Sequence, residues 1–193
     1  MTISSLLREL ADEIAFRFDV PLNGSLPAAS EDSIAALEQR FGGLIPRDYR
    51  EFLTLQDGED YRGTSFIFGT TSGWISPISF VKEDFDYHLN ASAKARSLGE
   101  PGPGTGYYMA IGPVHPFGWD RKWIPIMSRS SRWILDMNPA LGGCPGQVVV
   151  QSPENGENKV VCSSFSELLE RQLAGVRRGL RSIEQSLNLV RDE

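Results

Sequence analysis

The spacing of apolar residues changes twice along this chain, and that change limits the possible folds more than any other feature. Ile3, Leu6, Leu7, Leu10 and Ile14 recur at three and four, with Arg8, Glu9, Asp12 and Glu13 between them. This spacing predicts an amphipathic helix over residues 3–18 with one buried stripe. Pro21 and the stretch Asn23-Gly24-Ser25-Leu26-Pro27 end it. Ser30 opens a second helix as N-cap, with Glu31 and Asp32 in the first turn, where the helix dipole favours acids. Ile34, Leu37 and Phe41 form its stripe, and Gly42-Gly43 permits a left-handed stop. A third helix starts near Pro46, whose missing N–H is no loss there. It carries Tyr49, Phe52, Leu53 and Gln56 on one face and ends in the turn pair Asp57-Gly58.

The period then shortens. Residues 64–68, 74–78, 107–111, 123–127, 133–137, 147–150 and 159–162 are short aromatic or β-branched runs punctuated by Gly, Pro, Ser or Asn, and they read as strands. Residues 79–98, with Phe80, Phe85, Leu89, Ala93 and Ala95, interrupt them as another helix, and residues 101–106 form a loop. The helical period returns at Ser164-Phe165-Ser166-Glu167, a capping box in which the Ser and Glu side chains satisfy each other's orphan N–H groups. Leu168, Leu169, Leu173, Val176, Leu180, Ile183 and Leu187 continue the stripe, and a helix over 164–190 would run roughly 40 Å. Gly175 and Gly179 lie inside it, marking either a break between two helices or a close approach of another backbone. Helices, a meander of strands, then a helix is the order of an α+β domain. The expected architecture is a single domain over 1–193, with helices flanking a central, largely antiparallel or mixed sheet. An extra helix precedes it and a long helix closes it.

Several chemistries are excluded or weakly supported. Cys144 and Cys162 have no short spacing, which excludes a disulfide scaffold and predicts two buried, reduced thiols. With histidine only at His88 and His115, no spacing supports a four-ligand zinc site. No Gly-x-Ser-x-Gly elbow is present, and Cys144 with His115 as base competes poorly with Cys144 as a plain turn residue. Gly102-x-Gly104-x-Gly106 lacks the Lys and Ser/Thr of a phosphate loop, and its prolines remove N–H donors. No cofactor and no metal is expected. The first ten residues place charges within their apolar stretch without a basic start, unlike a signal peptide, and no apolar run reaches a membrane span. Without a secretion signal the acceptor tripeptide Asn90-Ala91-Ser92 carries no meaning, so the expected location is cytoplasmic, with no membrane contact. A net charge of −6, from 19 basic and 25 acidic side chains, argues against nucleic acid as partner. The tail arginines Arg171, Arg177, Arg178 and Arg181 stand beside Glu167, Glu170 and Glu184 and read as a mixed solvent face.

Two acidic clusters are the candidate partner-binding residues. Asp57, Glu59 and Asp60 precede Tyr61, and Glu83, Asp84 and Asp86 alternate with Phe85 and Tyr87. Aromatics dominate binding hot spots and charges speed encounter, so this mixture suits a cationic protein surface. The competing reading is a solvated turn and an acid-tolerant helix start. Phe117 and Trp119, in the run Pro116-Phe117-Gly118-Trp119-Asp120-Arg121-Lys122-Trp123, are either interface anchors or a lid over the core.

The series Ile34-x-x-Leu37-Glu38-x-x-Phe41-Gly42-x-x-Ile45-Pro46-x-x-Tyr49-x-x-Phe52-Leu53, followed by Asp57-Gly58, resembles the opening signature of the SUKH superfamily. Trp123-Ile124-Pro125-Ile126, Leu135-Asp136-Met137-Asn138-Pro139, Gly143-x-x-Gly146-Gln147-Val148 and Ser164-Phe165-x-x-x-Leu169 follow in the family's order. The resemblance covers about residues 30–173, leaving 1–29 and 174–193 as helical extensions. Ser128-Arg129-Ser130-Ser131-Arg132-Trp133 departs from the small or acidic residues often seen there, which bears on the surface this region presents. The shared positions Gly42, Pro46, Tyr49, Phe52, Gly58, Trp123, Pro125, Asp136, Gly146, Ser164 and Phe165 read as fold determinants.

Membership implies no enzymatic chemistry. In bacteria it implies an immunity protein of a polymorphic toxin system, such as contact-dependent or type VI secretion, that neutralises a toxin, commonly a nuclease encoded by the adjacent gene. In fungi it implies a cell-wall-assembly regulator acting as a scaffold. An uncharacterised hydrolase is the third possibility and would need His115, Cys144 or a carboxylate pair to converge in a cleft.

Overall fold

The structure, a computed structural model, describes residues 1–19, 24–43, 45–60, 74–98, 108–128, 131–180 and 182–188. Tyr61, the strand expected at 64–68 and the loop at 101–106 lie outside the described residues. The element order is α1 (Ile3–Phe18), α2 (Glu31–Arg40), α3 (Arg47–Leu55), α4 (Ile78–Leu98), β1 (Met109–Ile111), β2 (Trp123–Ser128), β3 (Arg132–Asp136), β4 (Gln147–Ser152), β5 (Glu157–Cys162), α5 (Phe165–Arg177) and α6 (Ile183–Asn188). The strands form one open sheet in the order β1-β5-β4-β3-β2. Only the β1–β5 pair is parallel; the other three pairs are antiparallel. This is the α+β fold that the switch in period predicts.

Alternation along the strands splits the core in two, because successive side chains leave a strand on opposite faces. Ile124, Ile126, Trp133, Leu135 and Val148 join one core with α1, α2, α3 and α5. Trp123, Ile134 and Val149 join a second with Phe85, Val114 and Trp119. Helix α4 packs beside edge strand β2 and serves both cores, giving Ile78 and Val81 to the first and Phe85 to the second. Among the described residues, the second face is covered by α4 together with an irregular segment, residues 113–120, which buried amides strap in place. Gln147 Nε2 donates to the Pro113 carbonyl (2.9 Å), Gln151 Nε2 to that of Gly118 (3.0 Å), and Asn158 Nδ2 to those of His115 (3.0 Å) and Phe117 (2.8 Å).

The helix ends follow local chemistry. Ser30 Oγ accepts from the Ser33 N–H (3.2 Å), and Gly42 adopts φ 70° after α2. Pro46 is the N-cap of α3, and Asp48 ties that helix to the start of α5 by accepting from the Ser166 N–H (2.8 Å). There the aromatic rings of Tyr49, Phe52 and Phe165 meet at 5.1–6.1 Å.

Four expectations need correction. Residues 74–77 form no strand: the Ser76 N–H donates to the Ile126 carbonyl (2.8 Å), but Pro77 has no N–H to continue a ladder, and α4 starts at Ile78. The capping box at α5 is half formed: Ser164 Oγ accepts from Glu167 N–H, but Glu167 reaches back to Ser163 rather than Ser164. The long final helix is two helices, α5 and α6, broken after Arg178. Cys144 is exposed in the surface turn closed by the Gln147 N–H and its own carbonyl (2.9 Å), whereas Cys162 is buried as expected.

Candidate functional site

The first acidic cluster is committed largely to the protein's own backbone, with Glu59 turned inward and Asp57 and Asp60 half-buried. Asp57 Oδ1 accepts from the Ile78 N–H (2.8 Å) and so caps α4 from a distance; burial raises its carboxyl above the ordinary range, against the pull of that hydrogen bond and of Lys82. Glu59 is only 1% exposed, and its Oε2 accepts from the Ile75 N–H (3.0 Å) while its own N–H donates to the Ile75 carbonyl (2.9 Å). The Asp60 N–H donates to the Gly24 carbonyl (2.7 Å). Gly58 permits the turn: at φ 73°, a Cβ there would lie 2.6 Å from the Ile75 carbonyl oxygen. These residues stitch the segment after α3 to the approach of α4.

Trp119 is 7% exposed and fills the second core, with ring centroids 4.5 Å from His88, 6.0 Å from Trp123 and 6.1 Å from Phe85. It lies over the core behind α4. Phe117 remains 41% exposed and stacks on His115 at 4.9 Å.

The second acidic cluster divides. Asp86 is tied to Arg40, whose guanidinium also lies 5.4 Å over the Phe85 ring. Glu83 and Asp84 instead share one face of α4 with Phe80 and Tyr87, at spacings of three and four, and with Trp74 and Ser76 they line a groove. Phe80 is 43% and Tyr87 63% exposed. Behind the groove His88 is buried, its Nε2 3.3 Å from Asp84 Oδ1. Asp84 Oδ2, His88 Nδ1 and Trp119 Nε1 are buried without hydrogen-bond partners among the described residues. Sequence reasoning took Phe80 only as an apolar helical position and missed His88 and Trp74. Helical spacing from Phe80 to Tyr87 was the available signal for the groove.

Two other clefts differ in chemistry. Beside α1, Glu9 and Glu13 are held by Arg177 (2.7 and 3.1 Å) and Glu13 also by Arg17 (2.8 Å), and these guanidinium groups keep Glu13 below the ordinary range. Cys144 and Cys162 line a cleft with Gln147, Glu167 and Arg171, where burial pushes the Cys162 thiol up to about 12. His115 is not among the residues lining it. Among the described residues, no group of three or more His, Cys, Asp or Glu side chains could hold a metal, and no helix is long and apolar enough to cross a membrane.

Over 175 residues, covering 84% of this chain, the sequence is 25% identical to the cell wall biosynthesis/cell cycle regulator smi1 of Schizosaccharomyces pombe. The aligned part is 34% of that relative, so the chain spans about a third of its length. The profile of the SMI1 / KNR4 family (SUKH-1) matches residues 28–171, well over half of the chain, and takes in the α3–α5 aromatic junction, the α4 groove and the whole sheet. The chain belongs to the SMI1/KNR4 (SUKH-1) family.

Proposed function

We propose that this protein acts by binding another protein, and that it is an immunity protein which neutralises a toxin in the cytoplasm of the cell that makes both. Family membership carries the reading, since the SUKH families include immunity proteins as well as Smi1 regulators. The exposed aromatic and acidic face of α4 supports it by offering a surface suited to a cationic partner. Blocking a toxin requires covering its active site, so the complex is expected to bury about 1,200–2,000 Å² with a Kd of roughly nanomolar or tighter. Capture of the adjacent gene's product by the purified full chain, and survival of cells expressing that product only when this protein is co-expressed, are the expected results. Failure of both rescue and capture overturns the toxin reading.

The similarity to smi1 favours a second reading, a regulatory scaffold. A scaffold engages several partners at modest affinity, whereas an immunity protein gives one dominant tight complex. Quantitative affinity capture from the native cell separates the two.

A further inference from the structure

Resting on the reading of a protein-binding function, we infer that the α4 groove seats an arginine-bearing, basic segment of the partner. The same helix already shows how such a residue is held. Arg40 pairs with Asp86 while its guanidinium lies over Phe85, so one cation satisfies a carboxylate and a ring together. The neighbouring face repeats that composition in Phe80, Glu83, Asp84 and Tyr87, yet among the described residues no Lys or Arg stands within 4 Å of either carboxylate. In the α1 cleft, by contrast, Arg17 and Arg177 already hold Glu9 and Glu13, which leaves Asp12 as a single carboxylate beside them.

A second observation points to a missing donor. Asp84 Oδ2 is buried and unpartnered while its Oδ1 faces His88, although buried acceptors in folded proteins are almost always satisfied. The side chain is 24% exposed in the groove lining, so a small rotation presents that oxygen to an incoming donor. Arginine fits this gap better than lysine. Its planar guanidinium donates to two acceptors at once and stacks on a ring, while an ammonium is a compact, strongly hydrated charge.

The test uses the full-length chain with fluorescein-labelled hexa-arginine, hexalysine and hexaglutamate peptides, read by anisotropy and by amide shift mapping. Hexa-arginine should bind several-fold tighter than hexalysine, with shifts centred on residues 80–87, and hexaglutamate should not bind. Glu83→Lys and Tyr87→Ala alter exposed side chains, so the fold should survive both changes. Weakening of about tenfold for Glu83→Lys and about 2- to 10-fold for Tyr87→Ala is expected. Glu170→Lys, the same charge change on exposed α5 surface, should stay within about twofold of the parent. Equal losses for Glu83→Lys and Glu170→Lys, shifts mapping away from α4, or absence of hexa-arginine binding each overturn the site. If wild type captures a protein partner that Glu83→Lys and Tyr87→Ala bind equally well, the groove assignment falls and the function stands. If wild type captures none, the function falls whatever the peptides do.

Discussion

Asp136 is fully buried, and its carboxylate is the hub of the sheet's polar network. Oδ1 accepts from Trp123 Nε1 (3.0 Å) and the Asn138 N–H (2.9 Å), and Oδ2 from Gln147 Nε2 (3.0 Å). Burial raises the carboxyl above its ordinary value, and the three donors only partly oppose it. A raised acid binds a proton in the folded state at pH values where the unfolded chain has lost it. Its contribution to stability is therefore present below the ordinary aspartate range and declines as pH rises through the raised value. Asp136→Ala removes the charge, strands the buried Trp123 Nε1–H, leaves Gln147 Nε2 only its Pro113 partner and deprives the partly buried Asn138 N–H. A buried donor left unsatisfied costs about 1–3 kcal/mol. The expected net loss is about 3–5 kcal/mol by urea unfolding at pH 7. A loss under about 1 kcal/mol would mean the network does not hold the sheet together. The sequence marked Asp136 and Trp123 as fold determinants but did not pair them, because strand register sets which positions meet. Gln151 and Asn158 went unnoticed for a related reason: amides read as surface residues until a loop is laid across them.

At the scale of elements, the two tail glycines show what spacing can and cannot tell. Both functions offered by the sequence occur, one at each glycine. Gly179, at φ 83°, ends α5: its N–H donates to the Val176 carbonyl (2.9 Å), and the Leu180 N–H reaches back to that of Gly175 (3.0 Å). These are the paired bonds of a Schellman stop. Gly175 is the close approach, since a Cβ there would stand 1.8 Å from Ser186 Oγ, which in turn donates to the buried Gln172 (3.0 Å). Gly175→Ala should destabilise by about 1–3 kcal/mol through overpacking at the α5–α6 contact. In a Ser186→Gly background the same change should cost less, because only the Ser186 Cα, at 3.1 Å, remains close. A double-mutant cycle by urea unfolding checks this, and additivity would show that the contact is not felt. The two acidic clusters give the same lesson about legibility. They look alike in sequence, but backbone pairing turns Glu59 inward while helical spacing turns Glu83 outward and leaves Asp84 half-buried against His88.

At the scale of the whole molecule, the switch in period was enough to give the α+β class, because amphipathic helices and strands must each bury a face. It did not reveal that a loop covers the second face, since such a segment has no period to read. Nor did family resemblance mark the limits of the folding unit. The family profile begins at residue 28, yet Ile3, Leu6, Leu10 and Ile14 of α1 are buried in the same core as Phe52, Trp133 and Leu169. Glu51 accepts from the Ile3 N–H (3.2 Å), and Arg177 grips Glu9 and Glu13 from α5. Burying each of those four apolar side chains contributes about 1.5–3 kcal/mol, so α1 supplies roughly 6–12 kcal/mol before entropy is counted. A domain's entire net stability is about 5–15 kcal/mol. A fragment of residues 24–188 should therefore lack a cooperative thermal transition and native amide dispersion, and a peptide of residues 1–19 added in excess should restore at least part of both. A fragment that melts cooperatively at the full chain's Tm would show that α1 is an ornament on a complete domain.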